Sequence, residues 1–222
     1  MIPYKIVRSN RKTVTICIVG GEVAVKAPLR TSLKHIKSFV EQKSAWIQKK
    51  LAEYSRKTDI LEQALNGESI LYNGRFFKIE RTDSVKRIAL GDGALLLPIK
   101  YGLDGSSERA IAAWYKRVAA KELPVALAKI SAETGLGYKS FATTNARTKW
   151  GSCDGNCNVR LNWRLVMLAE PFVRYVIVHE LAHTVHHDHS AAFWAVVKKH
   201  MPDYADVKKR LKTFSVLTSL YR

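Results

Sequence analysis

The stretch from Tyr175 to Trp194, YVIVHELAHTVHHDHSAAFW, limits this chain's possible folds more than any other. It contains His179-Glu180-Leu181-Ala182-His183, a His-Glu-x-x-His pattern. A helix turns once in ~3.6 residues, so positions four apart stack on one face. Two imidazoles so placed reach one zinc ion at roughly 2.0–2.1 Å each. Glu180, next to His179, can contact a metal-bound water without ligating the metal. Two ligands, a general base and an open water position are the parts of a zinc hydrolase. The residues around the pattern, Val176-Ile177-Val178 and Leu181-Ala182, are apolar. A helix buried on most sides must find partners for two histidines and a glutamate, because burying them unpaired is costly.

A third ligand is required, and His186, His187 and His189 are at hand. On an unbroken helix His187 would stand about 12 Å along the axis from His179, at ~1.5 Å per residue. Imidazoles strung over that length cannot meet at one ion. The third ligand is therefore expected after a change of direction, and His187-Asp188-His189-Ser190 reads as that turn. Asp188 or Ser190 would cap a new helix starting Ala191-Ala192-Phe193-Trp194. His189, at the start of the new direction, is the expected ligand; His186 and His187 are assigned exposed or supporting positions.

At 222 residues, 47% hydrophobic and 25% charged, the chain matches an ordinary globular protein and can bury a core. It has no ~20-residue apolar run of the kind a membrane span needs, so no membrane partner is expected. Met1-Ile2-Pro3-Tyr4-Lys5 lacks the apolar core of a signal peptide, from which a cytoplasmic location is expected. The cysteines are Cys17, Cys153 and Cys157, a sparse odd set that fits a reducing compartment rather than a disulfide scaffold. The net charge of +18 favours anionic partners, nucleic acid or another polyanion among them. Its basic residues are spread along the chain, and solvated lysine-rich helices would give the same total.

Hydrophobic patterning assigns an α+β fold. Strands are expected at 4–8, 13–18 and 22–26, with a tight turn at Gly20-Gly21. Thr31 or Ser32 would cap one long helix to about Ser55, with an apolar stripe of Ile36, Phe39, Val40, Trp46, Ile47 and Leu51. Glu68 to Arg81 reads as a hairpin around Asn73-Gly74, and Val85 to Ile99 as a second around Gly91-Asp92-Gly93. The stretch from Gly102 to Ser107 is the expected junction between a hairpin-rich region with one long helix, 1–104, and a helical domain with a small antiparallel sheet, 105–222. In the latter, a helix from Ser107 to about Thr134 is expected to kink or divide at Pro124 and to stop at Gly135. A hairpin turning at Asp154-Gly155-Asn156 follows, and Pro171 opens the metal helix.

Several further motifs stand in order with that helix: Arg147-x-x-Trp150-Gly151-Ser152-Cys153, Leu161-Asn162-Trp163-Arg164-Leu165, His189 with Phe193-Trp194, and Met201-Pro202-Asp203-Tyr204. With them the chain closely resembles the YgjP-like metallopeptidases, zinc-dependent hydrolases related to the SprT-like and WLM zincins. Val23 to Pro28, Trp46-Ile47 and Tyr72-x-Gly74-Arg75 extend the resemblance over nearly the whole chain. It implies a zincin-like fold for 105–222, zinc on His179, His183 and His189, and a catalytic Glu180. It supplies no substrate; the zinc-hydrolase chemistry itself points to a peptide bond in a protein or peptide. Cys157 departs from the pattern, which has an apolar residue there, and is assigned no role. Arg147, Tyr204 and His200 are candidates for stabilising an oxyanion, with structural roles preferred; Asn162 and Trp163 are assigned to packing.

Two rivals remain open at this level. The charge suits a metal-dependent phosphoanhydride (nucleotide) hydrolase or a protease acting on DNA-bound proteins, although no Gly-x-x-x-x-Gly-Lys loop is present. A non-enzyme rival is a nucleic-acid-binding module with a structural zinc on Cys153, Cys157, His179 and His183.

Overall fold

The computed structural model describes residues 2–19, 21–102 and 105–221, with the backbone alone at 56, 57, 60, 61 and 63–65. Gly20 of the expected first turn, and Leu103 and Asp104 of the expected junction, lie outside the described residues. The chain forms two compact units, Met1–Asp59 and Ile60–Arg222.

In the first unit, β1 (Lys5–Ser9), β2 (Thr15–Val19) and β3 (Glu22–Pro28) form a sheet in the order β1-β3-β2. Alternation along β3 buries Val23, Val25 and Ala27, which pack with Ile36, Val40 and Ile47. The expected hairpin is present as β2 against β3, while β1 runs parallel to β3, a pairing that local patterning does not predict. The single long helix is in fact two, α1 (Leu33–Gln42) and α2 (Ser44–Leu65). The Lys43 N–H is shared between the carbonyls of Phe39 and Val40, tightening the last turn of α1 and ending it. Ser32 supplies the N-cap, its hydroxyl accepting the His35 N–H at 3.2 Å. Of the expected stripe, Trp46 is exposed.

The second unit begins with β4 (Ser69–Tyr72) and β5 (Arg75–Thr82), joined at Asn73 (φ 47°) and Gly74 (φ 73°). Left-handed geometry at both centres is the two-residue turn that Asn-Gly favours. A Cβ at Gly74 would also stand 2.7 Å from that of Ala169. The next hairpin is shorter than patterning suggests: β6 is only Ala89–Leu90, against β7 (Ala94–Pro98). The sheet order is β4-β5-β7-β6, with β5 and β7 parallel.

Helix α3 (Ser106–Thr134) runs unbroken through Pro124 and stops at Gly135, whose φ of 71° gives the left-handed cap. Ile111, Tyr115, Ala119, Leu123 and Leu127 recur every four residues, and all are buried. They share one core with Leu95 and Leu97 of β7 and with the C-terminal helices, so the 60–99 region belongs to the same unit as the residues after 105. The Tyr115 hydroxyl donates to the Leu71 carbonyl at 2.6 Å, tying helix to sheet.

The remaining sheet holds β8 (Ser140–Thr144), β9 (Gly151–Cys153) and β10 (Asn158–Asn162) in the order β8-β10-β9. It is mixed rather than antiparallel, because β8 runs parallel to β10. A 3-10 turn (Trp163–Met167) leads into α4 (Glu170–Ala182), α5 (Ala191–His200) and α6 (Tyr204–Leu211). Asn162, fully buried, holds this region together. Its Nδ2 donates to the carbonyls of Ala146 and Lys149, and its Oδ1 accepts the Arg164 N–H. Asn162 and Trp163 thus take the structural parts expected of them. Among the described residues, no helix is long and apolar enough to cross a membrane.

Candidate metal centre

Helix α4 opens with Pro171 in its first turn and Glu170 beside it, which suit the unpaired N–H groups and positive end of a helix. It buries Phe172, Tyr175, Val176, Ile177, Val178, Leu181 and Ala182, so His179 and Glu180 are polar groups carried into the core by an apolar helix. The helix ends at His183. The chain then reverses, and Ser190 caps α5 by accepting the Phe193 N–H at 3.4 Å. Asp188 steadies the turn, its Oδ1 accepting the Ser190 N–H at 3.1 Å.

This reversal brings His189 back against α4. Ligand atoms of His179, His183 and His189 all lie within 4.8 Å of one another, a group that could hold a metal ion. His179 Nε2 and His189 Nε2 stand 3.1 Å apart. Two nitrogens at ~2.0–2.1 Å from a tetrahedral ion would be roughly 3.3 Å apart, so the pair fits a zinc-sized cation. His183 Nδ1 meets the His186 carbonyl at 3.0 Å, which makes Nδ1 the protonated nitrogen and leaves Nε2 as the donor. His186 therefore serves through its backbone, while His187 is exposed.

The electrostatics agree with neutral, lone-pair-bearing rings at His179 and His183. Burial, with positive charge at His183, His189 and Lys208, pushes His179 down to about 3. Burial also lowers His183, against the raising effect of the His186 carbonyl. His179 Nδ1 is buried with no hydrogen-bond partner, so protonating this ring would add a charge with nothing to receive it.

Glu180 is 6% exposed, and burial raises its carboxyl to about 7, opposed by Lys149 and the Cys153 backbone N–H. Strand β9 lies directly against it. A Cβ on Gly151 would stand 2.7 Å from Glu180 Cγ and 2.7 Å from Oε1. Gly151 is thus the space Glu180 occupies, a role the sequence signals only by placing glycine where a strand begins. Tyr175, four residues before His179, lies 5.9 Å from it ring to ring. Burial, then Glu180 and Tyr204, raise its phenol to about 12. The four-residue spacing alone could have located this tyrosine beside the site.

Of the three oxyanion candidates, Tyr204 approaches the site's flank, stacked on Trp194 at 5.2 Å and 15°. His200, at the end of α5, has Lys199 and Arg174 as charged neighbours. The Arg147 carbonyl accepts the Thr218 hydroxyl, a structural contact. Neither cysteine joins the histidine group: Cys153 Sγ faces the Asp154 carbonyl and Cys157 Sγ the Thr184 carbonyl. A four-ligand structural zinc on those cysteines is therefore not the arrangement found.

Curated proteins include no match to this chain. Among solved structures, the fold is similar to the metallopeptidase zymogen abylysin of Pyrococcus abyssi, at 20% identity, TM-score 0.38, over 41% of this chain and 93% of that one. It is similar also to the zymogen jannalysin of Methanocaldococcus jannaschii, at 17% identity, TM-score 0.38, over 42% and 97%. Likeness at that level adds nothing to the assignment. The match that decides is to the model described as YgjP-like, metallopeptidase domain, over residues 12–214: the chain belongs to the YgjP-like metallopeptidase family.

Proposed function

We propose that this metallopeptidase is zinc-dependent, with His179, His183 and His189 holding the ion and Glu180 moving the proton. The observation that carries the reading is the convergence of three imidazole ligand atoms, with the buried Glu180 following His179 directly on α4. An all-nitrogen donor set suits zinc. Zinc supplies, when bound, the Lewis acidity that makes water a nucleophile near neutral pH and polarises a carbonyl. Glu180 takes a proton from the attacking water and returns it to the leaving nitrogen as the peptide C–N bond breaks. Gly151 keeps the carboxylate in place by leaving room for it. β9 is an edge strand of its sheet, suited to pairing with the backbone of an extended peptide.

The test uses the purified, zinc-loaded full chain with a casein-type protein and quenched peptides, with and without chelator. Hydrolysis should vanish on chelation and return with zinc. Glu180→Gln should keep the ion and lose about 10²–10⁴-fold in rate. Wild-type rates from Glu180→Gln, or no zinc retained by the wild type, would end the proposal.

A further inference from the structure

We infer that Trp194 is a positioning residue that fixes the ring plane of His189, backed by Tyr204 and Lys208 of α6. This rests on the metal reading proposed above. The three histidines are held in different ways. His179 sits on a rigid helix, packed on Tyr175 (5.9 Å) and Phe193 (4.9 Å). His183 ends the same helix, with its Nδ1 fixed by the His186 carbonyl at 3.0 Å. His189 has neither aid. It is exposed, lies in the loop before Ser190, and its recorded polar contact is through Nε2 with His179. Among the described residues, no carbonyl or carboxylate is hydrogen-bonded to its Nδ1.

A metal-binding histidine ordinarily gains its ring orientation from such a hydrogen bond. Here the ring lies nearly parallel to Trp194, at 5.7 Å and 26°, with Phe193 meeting it edge-on at 4.9 Å and 74°. Trp194 is held in turn. Tyr204 stacks on it at 5.2 Å and 15°, and Lys208 Nζ stands 3.8 Å from its ring centre. Tyr204 and Lys208 are four apart on α6, hence on one face. The Ser190 cap starts α5 so that Phe193 and Trp194 fall in its first turn, opposite His189. A loop histidine is thereby clamped to a helix by stacking in place of a hydrogen bond. The clamp reaches as far along the chain as Lys208, well beyond the His-Glu-x-x-His pattern.

The experiment measures zinc affinity by competition with a chromogenic chelator, on the full chain. Removing an orienting partner of a metal-bound histidine costs 10–100-fold in affinity, and a stack belongs at the low end, about tenfold for Trp194→Leu. Trp194→Phe, which keeps an aromatic face, should restore most of that loss. Tyr204→Leu should cost about threefold and Tyr204→Phe nothing, which keeps the inference testable if Trp194→Leu fails to fold. Trp194 also lies 5.8 Å from the His179 ring, tilted at 53°. In a His189→Ala background, Trp194→Leu should therefore add only a small further loss, well under about tenfold, because the ring it stacks on is gone. Wild-type affinity in Trp194→Leu, or an equal loss with and without His189, would overturn the inference while leaving the metal reading intact. A wild type that binds no zinc would overturn both.

Discussion

Replacing Gly151 with alanine adds one methyl group at the place where the site has none to spare. The new Cβ would meet Glu180 Cγ at 2.7 Å, Oε1 at 2.7 Å and Cδ at 2.9 Å. Carbon atoms at rest lie ~3.5–4.0 Å apart, so strand and carboxylate must separate by about 1 Å. Glu180 is buried on a packed helix, so its carboxylate can yield only by leaving the position from which, on the proposed mechanism, it would move a proton. A misplacement of about 1 Å costs roughly 10²-fold in rate. Zinc stoichiometry should be unchanged, since the three atoms the methyl would meet most closely all belong to Glu180. Overpacking should also lower stability by about 1–3 kcal/mol. That stability effect can be assayed without any substrate. In a Glu180→Ala background the obstructing atoms are gone, so most of the loss in urea midpoint should be relieved. Gly151→Ala with more than half of wild-type activity would refute the reasoning, as would an equal destabilisation in both backgrounds.

Three other outcomes follow from the same contacts. Arg164 is 1% exposed; its guanidinium donates to the carbonyls of Leu220 and Tyr221 and to Asn145 Oδ1, and lies 4.0 Å from the Trp163 ring centre. Arg164→Met should cost about 3 kcal/mol or more in urea unfolding, since charged hydrogen bonds are lost and buried carbonyls left bare; a cost below about 1 kcal/mol would count against this. Asn162→Ala frees the carbonyls of Ala146 and Lys149 and should cost about 2–4 kcal/mol by the same measure. Asp154 accepts from the backbone of Asn156 and Asn158 and pairs with Arg160; hydrogen bonds from Asn158, first of all, depress its carboxyl to about 2. A depressed acid stabilises the fold above its unfolded value of 3.8 and loses that effect as pH falls through about 2. The difference in thermal midpoint between wild type and Asp154→Ala should therefore shrink between those limits, and a constant gap would show that the carboxylate's charge is not involved.

The parts of this molecule legible in the sequence are those with short-range causes. Asn73-Gly74 dictates its turn through backbone sterics, Gly135 ends α3 for the same reason, and Ser32 and Ser190 cap the helices they precede. The helical rise alone requires that a third histidine follow a reversal of the chain. What was not legible depends on partners distant in the chain. The parallel pairings of β1 with β3, β5 with β7 and β8 with β10 leave no local periodic signature. Pro124 locally favours a kink in α3, yet the packing of Ile111, Tyr115, Ala119, Leu123 and Leu127 keeps the helix whole. The break at Lys43 falls inside a continuous helical pattern, and only the capped geometry reveals it.

The candidate site divides along the same line. Its donors lie within eleven residues of one another, and a reader of the pattern finds them. Its control does not, because the groups that set Glu180 and His189 arrive from other elements: Gly151 and Lys149 from the β9 region, Tyr204 and Lys208 from α6. Each of these acts by occupying, or declining to occupy, a volume beside a side chain already fixed by its helix. Such roles are invisible to spacing, since a glycine that makes room and a glycine that makes a turn are the same letter. On the proposed mechanism, a chain could therefore keep His179, Glu180, His183 and His189 and still work poorly, if position 151 carried a side chain or position 194 lacked a ring.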